Sequence, residues 1–295
     1  MLESDREALL RATVSGLEGA LPLGTPARAG SGRAVWDVLC EHLRVGDVRS
    51  ALGAIARGPG GELAPSAAGN VPFCSAESSA LMTVNFLAPF SARGQLLGLG
   101  PGALVFEREL RVQRVRARVG PTLDAVLQVE KGALAVEVKT AEPWRKPPSR
   151  AISSQYDAVA ESVSPGVIDA VRAVRENRAG YMCLDAAQLL KHILGIHSAV
   201  RDGRLRGPVR LVVLYWRPSR AGDYEAMFDR FESELDDFAQ RVGDQLIAVS
   251  GINTRDLLAQ WSDRDYEPWL REHAQRLRMR YDPDLSSATG GNAGA

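Results

Sequence analysis

The chain has 295 residues, 45% of them hydrophobic, with 36 basic and 36 acidic side chains and a formal net charge of zero. That length can bury a substantial core, as one large domain with extensions or as two small ones. The charge balance excludes a global basic signature for nucleic acid and leaves any such contact to local patches. The three widely spaced cysteines, Cys40, Cys74 and Cys183, exclude a disulfide framework and a cysteine zinc site.

The first residues carry no basic stretch followed by an apolar one, and no apolar run is long enough to span a bilayer. The expectation is therefore a soluble, cytoplasmic protein without membrane contact. Residues 4–20 and 32–45 read as helices, the first capped by Ser4 or Asp5. A break rich in Gly, Pro, Ala and Ser runs from Gly58 to Gly69 and marks a boundary. An apolar helix is predicted over 75–88, with Ser75 as N-cap and Pro89 as its stop. Asn85, inside that apolar run, would satisfy a buried backbone group or hold a catalytic carboxylate. Leu96 to Gly102 is a turn segment, and without a Walker lysine its glycines make no phosphate loop. One long strand is predicted over 103–118.

The next stretch carries the chemistry. Residues 123–129 and 134–140 alternate apolar and polar positions, as half-buried strands do, and Lys131-Gly132 is a plausible two-residue turn between them. With that turn, Asp124 lies opposite Lys139 and Val126 opposite Glu137. Side chains alternate faces with period two. Asp124, Glu137 and Lys139 then share one face, while Ala125, Leu127, Val129, Leu134, Val136 and Val138 share the other. Two carboxylates can hold Mg²⁺, which needs few protein ligands besides water and phosphate. A lysine two residues from a ligand can orient or deprotonate the attacking water, or stabilise charge on the phosphoryl oxygens. The plain alternative is an exposed strand with an ordinary Asp, Glu and Lys. Only four of the 36 basic residues are lysines, so either Lys139 marks a position that arginine would not fill or it is simply one of the four places where a lysine falls.

Trp144 to Arg150 reads as a Pro-rich basic loop. Helices follow at about 151–162 and 166–177, and Asp185 caps a helix running to about 200. Residues 208–216 form a buried strand. Phe228, Phe231, Leu235 and Phe238 recur at helical spacing over 223–242. A further strand is expected at 245–250, with helices at 254–261 and 265–279 and a disordered tail from Ser286.

Helix, strand, strand, strand, helix, strand over 75–216, with Asp on the second strand and Glu-x-Lys on the third, resembles the PD-(D/E)xK nuclease superfamily. Within it, the chain is similar to a bacterial restriction-endonuclease-like group. The segments that carry the resemblance are Ser75 to Pro89, Pro121 to Trp144 and Ala187-Gln-Leu-Leu-Lys-His192, roughly half the chain. The proline of the motif name stands here at Pro121, three residues before Asp124 rather than next to it. The implied fold is α/β, an αβββαβ core with a mixed sheet flanked by helices. Residues 1–57 would be a helical N-terminal extension, 70–250 the nuclease-like domain, 251–285 C-terminal helices and 286–295 the tail.

The resemblance also implies roles. Asp124, Glu137 and the carbonyl of Val138 would ligate Mg²⁺, with Mn²⁺ able to substitute. Lys139 would act on the nucleophilic water. Glu77 would complete the metal site, or else only complement a helix N-terminus. Gln188 and Lys191 would contact phosphate or water, or else form a solvated polar face together with His192. His192 is not expected to bind metal, since no second His or Cys lies at useful spacing. Two basic patches could track a phosphate backbone: Arg108, Arg111, Arg114, Arg116 and Arg118 on the long strand, which would otherwise be a charged solvent edge that discourages strand pairing, and Arg145, Lys146 and Arg150 in the loop after Lys139. The function expected is a Mg²⁺-dependent endonuclease cutting DNA, in defence, restriction or repair. The alternative is a nuclease-fold module that binds nucleic acid or protein without cutting. Enzymes that cut both strands often work as dimers, so a homodimer is one expected state.

Overall fold

The computed structural model describes residues 38–285 except 41, 59–60, 65–70, 76, 94–101, 113–114, 116–119, 141 and 145–151. The predicted helix 4–20, the start of that at 32–45, most of the 96–102 turn and the tail lie outside the described residues. The architecture is α/β: five strands form one mixed sheet in the order β1-β2-β3-β4-β5, flanked by helices. The strands are β1 (Ala103–Glu109), β2 (Thr122–Val129), β3 (Gly132–Lys139), β4 (Val209–Tyr215) and β5 (Ile247–Asn253). The chain divides into two compact units. The first runs to Arg108 and takes in Asp124–Val129, and the second comprises Glu109–Leu123 and the chain from Glu130 onward.

In the first unit, helix α1 (Val45–Arg57) begins where the predicted 32–45 helix was to end. Residues 38–40 and 42–44 are turn and irregular backbone. Val48, Leu52 and Ile55 recur at helical spacing and are buried. Helix α2 (Ser79–Leu87) is shorter than predicted. Its N-cap is Ser78, whose hydroxyl accepts the N–H of Leu81 at 3.0 Å, so the cap is three residues later than expected. Every residue from Ala80 to Leu87 is buried. Asn85 belongs there because its Oδ1 accepts the Cys40 N–H at 2.8 Å, which supplies a buried backbone donor with a partner.

The predicted long strand stops at Glu109. Leu110 N–H donates to the Pro121 carbonyl at 2.7 Å, and Gly120 N–H to Glu109 Oε1 at 3.0 Å, which turns the chain aside.

In the second unit β3 pairs parallel with β4, from Ala133↔Val209 to Lys139↔Tyr215, and β4 pairs parallel with β5. Parallel neighbours need long crossovers, here helical. Between β3 and β4 run α3 (Pro165–Arg175) and α4 (Ala186–Arg201), and between β4 and β5 runs α5 (Glu225–Val242). The predicted helix at 151–162 is two short pieces, a 3-10 turn at Ser154–Tyr156 and a helical turn at Asp157–Ala160. The apolar stripe of α5 is as predicted: Phe228, Phe231, Leu235 and Phe238 are buried. Strand β5 extends to Asn253, whose side chain caps α6 (Thr254–Trp261) by accepting the Asp256 N–H at 2.8 Å. Helix α7 (Pro268–Tyr281) follows, with its His273 ring set against Trp261 and Trp269.

Two findings correct the predicted hairpin. The turn residues are Glu130 and Lys131, and Gly132 already opens β3. Gly132 is needed for contact rather than for a turn: its φ is 151°, and a Cβ there would lie 2.4 Å from the Pro208 carbonyl oxygen. That carbonyl accepts the Ala133 N–H at 3.0 Å. The turn therefore lies one residue earlier than predicted. The second correction concerns exposure. All eight residues of β3 are buried, including its polar ones, as befits a strand covered on both faces.

Candidate active site

Glu137 and Lys139 are two residues apart on β3 and therefore project from the same face. They are 3% and 4% exposed. A buried carboxylate and a buried ammonium are tolerable only when paired and hydrogen-bonded. Lys139 Nζ lies 2.9 Å from Glu137 Oε1.

Helix α4 supplies the remaining partners. Its start is held twice. The Glu234 carboxylate of α5 accepts the N–H groups of Met182, Cys183 and Leu184 at 2.8 to 2.9 Å, and Asp185 then caps the helix by accepting the Gln188 N–H at 3.0 Å. Gln188 and His192 are one turn apart and so share a face. Gln188 Nε2 donates to Glu137 Oε1 at 2.8 Å, and Gln188 Oε1 accepts from Lys139 Nζ at 2.8 Å. His192, 1% exposed, places Nε2 at 3.2 Å from Glu137 Oε2. That approach is close enough to favour the ionised carboxylate, yet out of line for a hydrogen bond.

The two oxygens of Glu137 are thus unlike. Oε1 accepts from both Lys139 and Gln188, whereas Oε2 has no hydrogen-bond donor among the described residues. Burial pushes the Glu137 carboxyl up, but Lys139 and then His192 outweigh it and hold the group down to about 2. Beyond the strand, Glu142 places Oε1 at 3.3 Å from Lys139 Nζ, and its Oε2 accepts the Thr140 N–H at 3.0 Å.

Of the residues singled out from the sequence, Glu137, Lys139 and Gln188 are therefore in mutual contact. Val138 lies between the two charged residues of β3 and is buried, and Lys191 is half-buried on α4. Asp124 is half-buried on β2, in the first unit. Glu77, also in that unit, is exposed in the turn before Ser78, its N–H donating to Ser75 Oγ at 3.2 Å. Arg108 is half-buried on β1, and Arg111 follows the end of that strand, exposed. Arg114, Arg116, Arg118, Arg145, Lys146 and Arg150 lie outside the described residues.

Two contributors escape the sequence reading. His192 is no part of a solvated face but a buried neighbour of Glu137. The signal was its four-residue spacing from Gln188, which fixes a common face. Glu142 had only its nearness to Lys139 along the chain.

Among the described residues no group of three or more His, Cys, Asp and Glu side chains can hold a metal ion. The donor chemistry of Glu137 still fits a divalent cation, because Oε2 is a buried anionic oxygen without a donor, and Mg²⁺ can be held by one or two carboxylates with water and phosphate. No helix among the described residues is long and apolar enough to cross a membrane.

The family model described as restriction endonuclease associating with ARP matches residues 62–282, a span that contains all five strands and every residue of this site. No curated protein and no solved structure gives a significant match to the chain.

Proposed function

Since the chain belongs to the family of restriction endonucleases associating with ARP, we propose that it is a divalent-metal-dependent endonuclease hydrolysing phosphodiester bonds in DNA, built on the PD-(D/E)xK pattern. The observation that carries this reading is the divided carboxylate of Glu137: one oxygen tied to Lys139 and Gln188, the other buried without a hydrogen-bond donor among the described residues.

Glu137, with the Val138 carbonyl, would hold Mg²⁺ in the second unit, and Asp124 and Glu77 of the first unit are the candidates that the sequence offers as further ligands. The bound ion supplies a water of lowered pKa and offsets charge on the phosphoryl oxygens. Lys139 does the rest near the scissile group. An ammonium has three donors, and Nζ faces three acceptors, Glu137 Oε1, Gln188 Oε1 and Glu142 Oε1. The longest of these contacts, to Glu142, is the one a phosphate oxygen or attacking water displaces. Glu137 and Gln188 keep the amine aimed throughout. Arg114, Arg116, Arg145, Lys146, Arg150 and Lys191 are the candidates to grip the DNA backbone, which positions the duplex without reading its sequence.

The test is cleavage of plasmid DNA with Mg²⁺, with and without EDTA, by the wild-type chain and by the Asp124→Ala and Lys139→Ala variants. Loss in both variants supports the assignment, and undiminished activity in both overturns it.

One observation favours a second reading, a nuclease-fold module that binds nucleic acid or protein without cutting. Lys139 is fully engaged as it stands. Calorimetric titration separates the two: absence of Mg²⁺ or Mn²⁺ binding that depends on Glu137 selects the binding module.

A further inference from the structure

Glu137 Oε2 and His192 Nε2 lie 3.2 Å apart, and both are buried without a hydrogen-bond partner among the described residues. His192 Nδ1 has no partner there either. Two buried polar atoms that face each other at this distance, out of line for a hydrogen bond, suit a shared cation. With bonds of roughly 2.1 Å, neighbouring ligands of an octahedral ion sit about 3 Å apart. The other oxygen, Oε1, is already occupied by Lys139 and Gln188, which turns Oε2 toward His192.

The geometry points to His192 Nε2 as a direct metal ligand beside Glu137 Oε2. This deepens, and rests on, the metal-dependent reading above. The expectation that His192 stays out of the metal site assumed that its partner had to be another His or Cys. The partner is a carboxylate 55 residues upstream on β3, on the counting of the chain. A nitrogen in the ligand set also changes the preferred ion. Mg²⁺ favours oxygen donors, whereas a mixed imidazole and carboxylate pair suits a borderline transition ion. The site therefore takes Mn²⁺ or Co²⁺ in preference to Mg²⁺.

The experiment uses the full chain loaded with Mn²⁺ and measures electron spin echo modulation, which detects a directly bonded nitrogen. Alongside it, Mn²⁺ and Mg²⁺ affinities are measured by calorimetry for the wild type, His192→Ala and Glu137→Gln, with circular dichroism melts to confirm folding. The expected result is nitrogen modulation in the wild type, and Mn²⁺ bound at least about tenfold tighter than Mg²⁺. In His192→Ala that margin disappears while Mg²⁺ binding persists. Mn²⁺ binding that is lost in Glu137→Gln, but shows no nitrogen modulation in the wild type, overturns this inference and leaves the metal-dependent reading standing. Failure of the wild type to bind either ion overturns both. The wild-type spectrum decides the question even if His192→Ala does not fold.

Discussion

Gln188 donates to Glu137 Oε1 across 2.8 Å, although 51 positions separate the two residues in the chain. The same amide accepts from Lys139, so one side chain fixes the relative position of the acid and the amine. Gln188→Ala removes both bonds. On the proposed endonuclease reading, the expected result is a fall of about 10- to 100-fold in DNA cleavage, the usual effect of losing a residue that orients a metal ligand. The circular dichroism spectrum stays that of the wild type. Initial rates of plasmid nicking at saturating metal check this.

Stability should depend on Glu137 in acid. Its carboxyl is held down to about 2 in the folded chain, against an ordinary value of 4.5. A depressed carboxyl binds fewer protons in the folded state than in the unfolded one. Its contribution is therefore complete above about pH 4.5 and is lost as pH falls through that value toward 2. Urea unfolding of the wild type and Glu137→Gln between pH 6 and pH 2 reads the difference. The gap is expected to be constant at the upper end and to shrink with acid. A gap that does not narrow would contradict the depressed value.

Asp185 stands at the start of the helix that carries Gln188 and His192. Asp185→Ala leaves the Gln188 N–H without its cap, at a cost of about 0.5–2 kcal/mol in stability. Because the affected turn bears Gln188, cleavage is expected to fall as well, whereas Asp185→Asn keeps the cap and much of the rate. Thermal melts paired with rate measurements test the coupling.

Gly132→Ala puts a methyl 2.4 Å from the Pro208 carbonyl oxygen, which is backbone and cannot swing away. Overpacking of this kind costs about 1–3 kcal/mol, and the positive φ adds to it. Gly203, with a φ of 68°, has no atom within 4 Å of its missing Cβ. Gly203→Ala is thus strained by its backbone alone and is expected to cost less. Comparison of the two melting temperatures separates contact from conformation.

Much of this organisation was legible in the linear chain. Alternation found both strands of the hairpin, because a period of two is visible without knowing the neighbours. Asp185 was legible as a cap, and the phenylalanines of α5 as a buried stripe, since each is a local pattern. Non-local contacts were not legible. The end of β1 depends on Pro121 and Gly120 meeting Leu110 and Glu109, and nothing in residues 103–118 announces it. Gly132 invites a turn reading, yet its glycine answers to Pro208, 76 positions along the chain. His192 suffered most. Beside Lys191 it looks like part of a wet face, and only the placement of α4 against β3 shows that the imidazole is buried.

The way Glu137, Lys139 and Gln188 grip one another also bears on how a ligand would arrive. Freezing a long polar side chain costs up to about 2 kcal/mol of rotamer entropy. Here that cost falls on folding, since the three side chains are already locked together. On the proposed metal-dependent reading, an ion docking at Oε2 would meet a receptor whose shape is set in advance. Its capture would then be governed by the shedding of its own hydration water rather than by rearrangement of the protein.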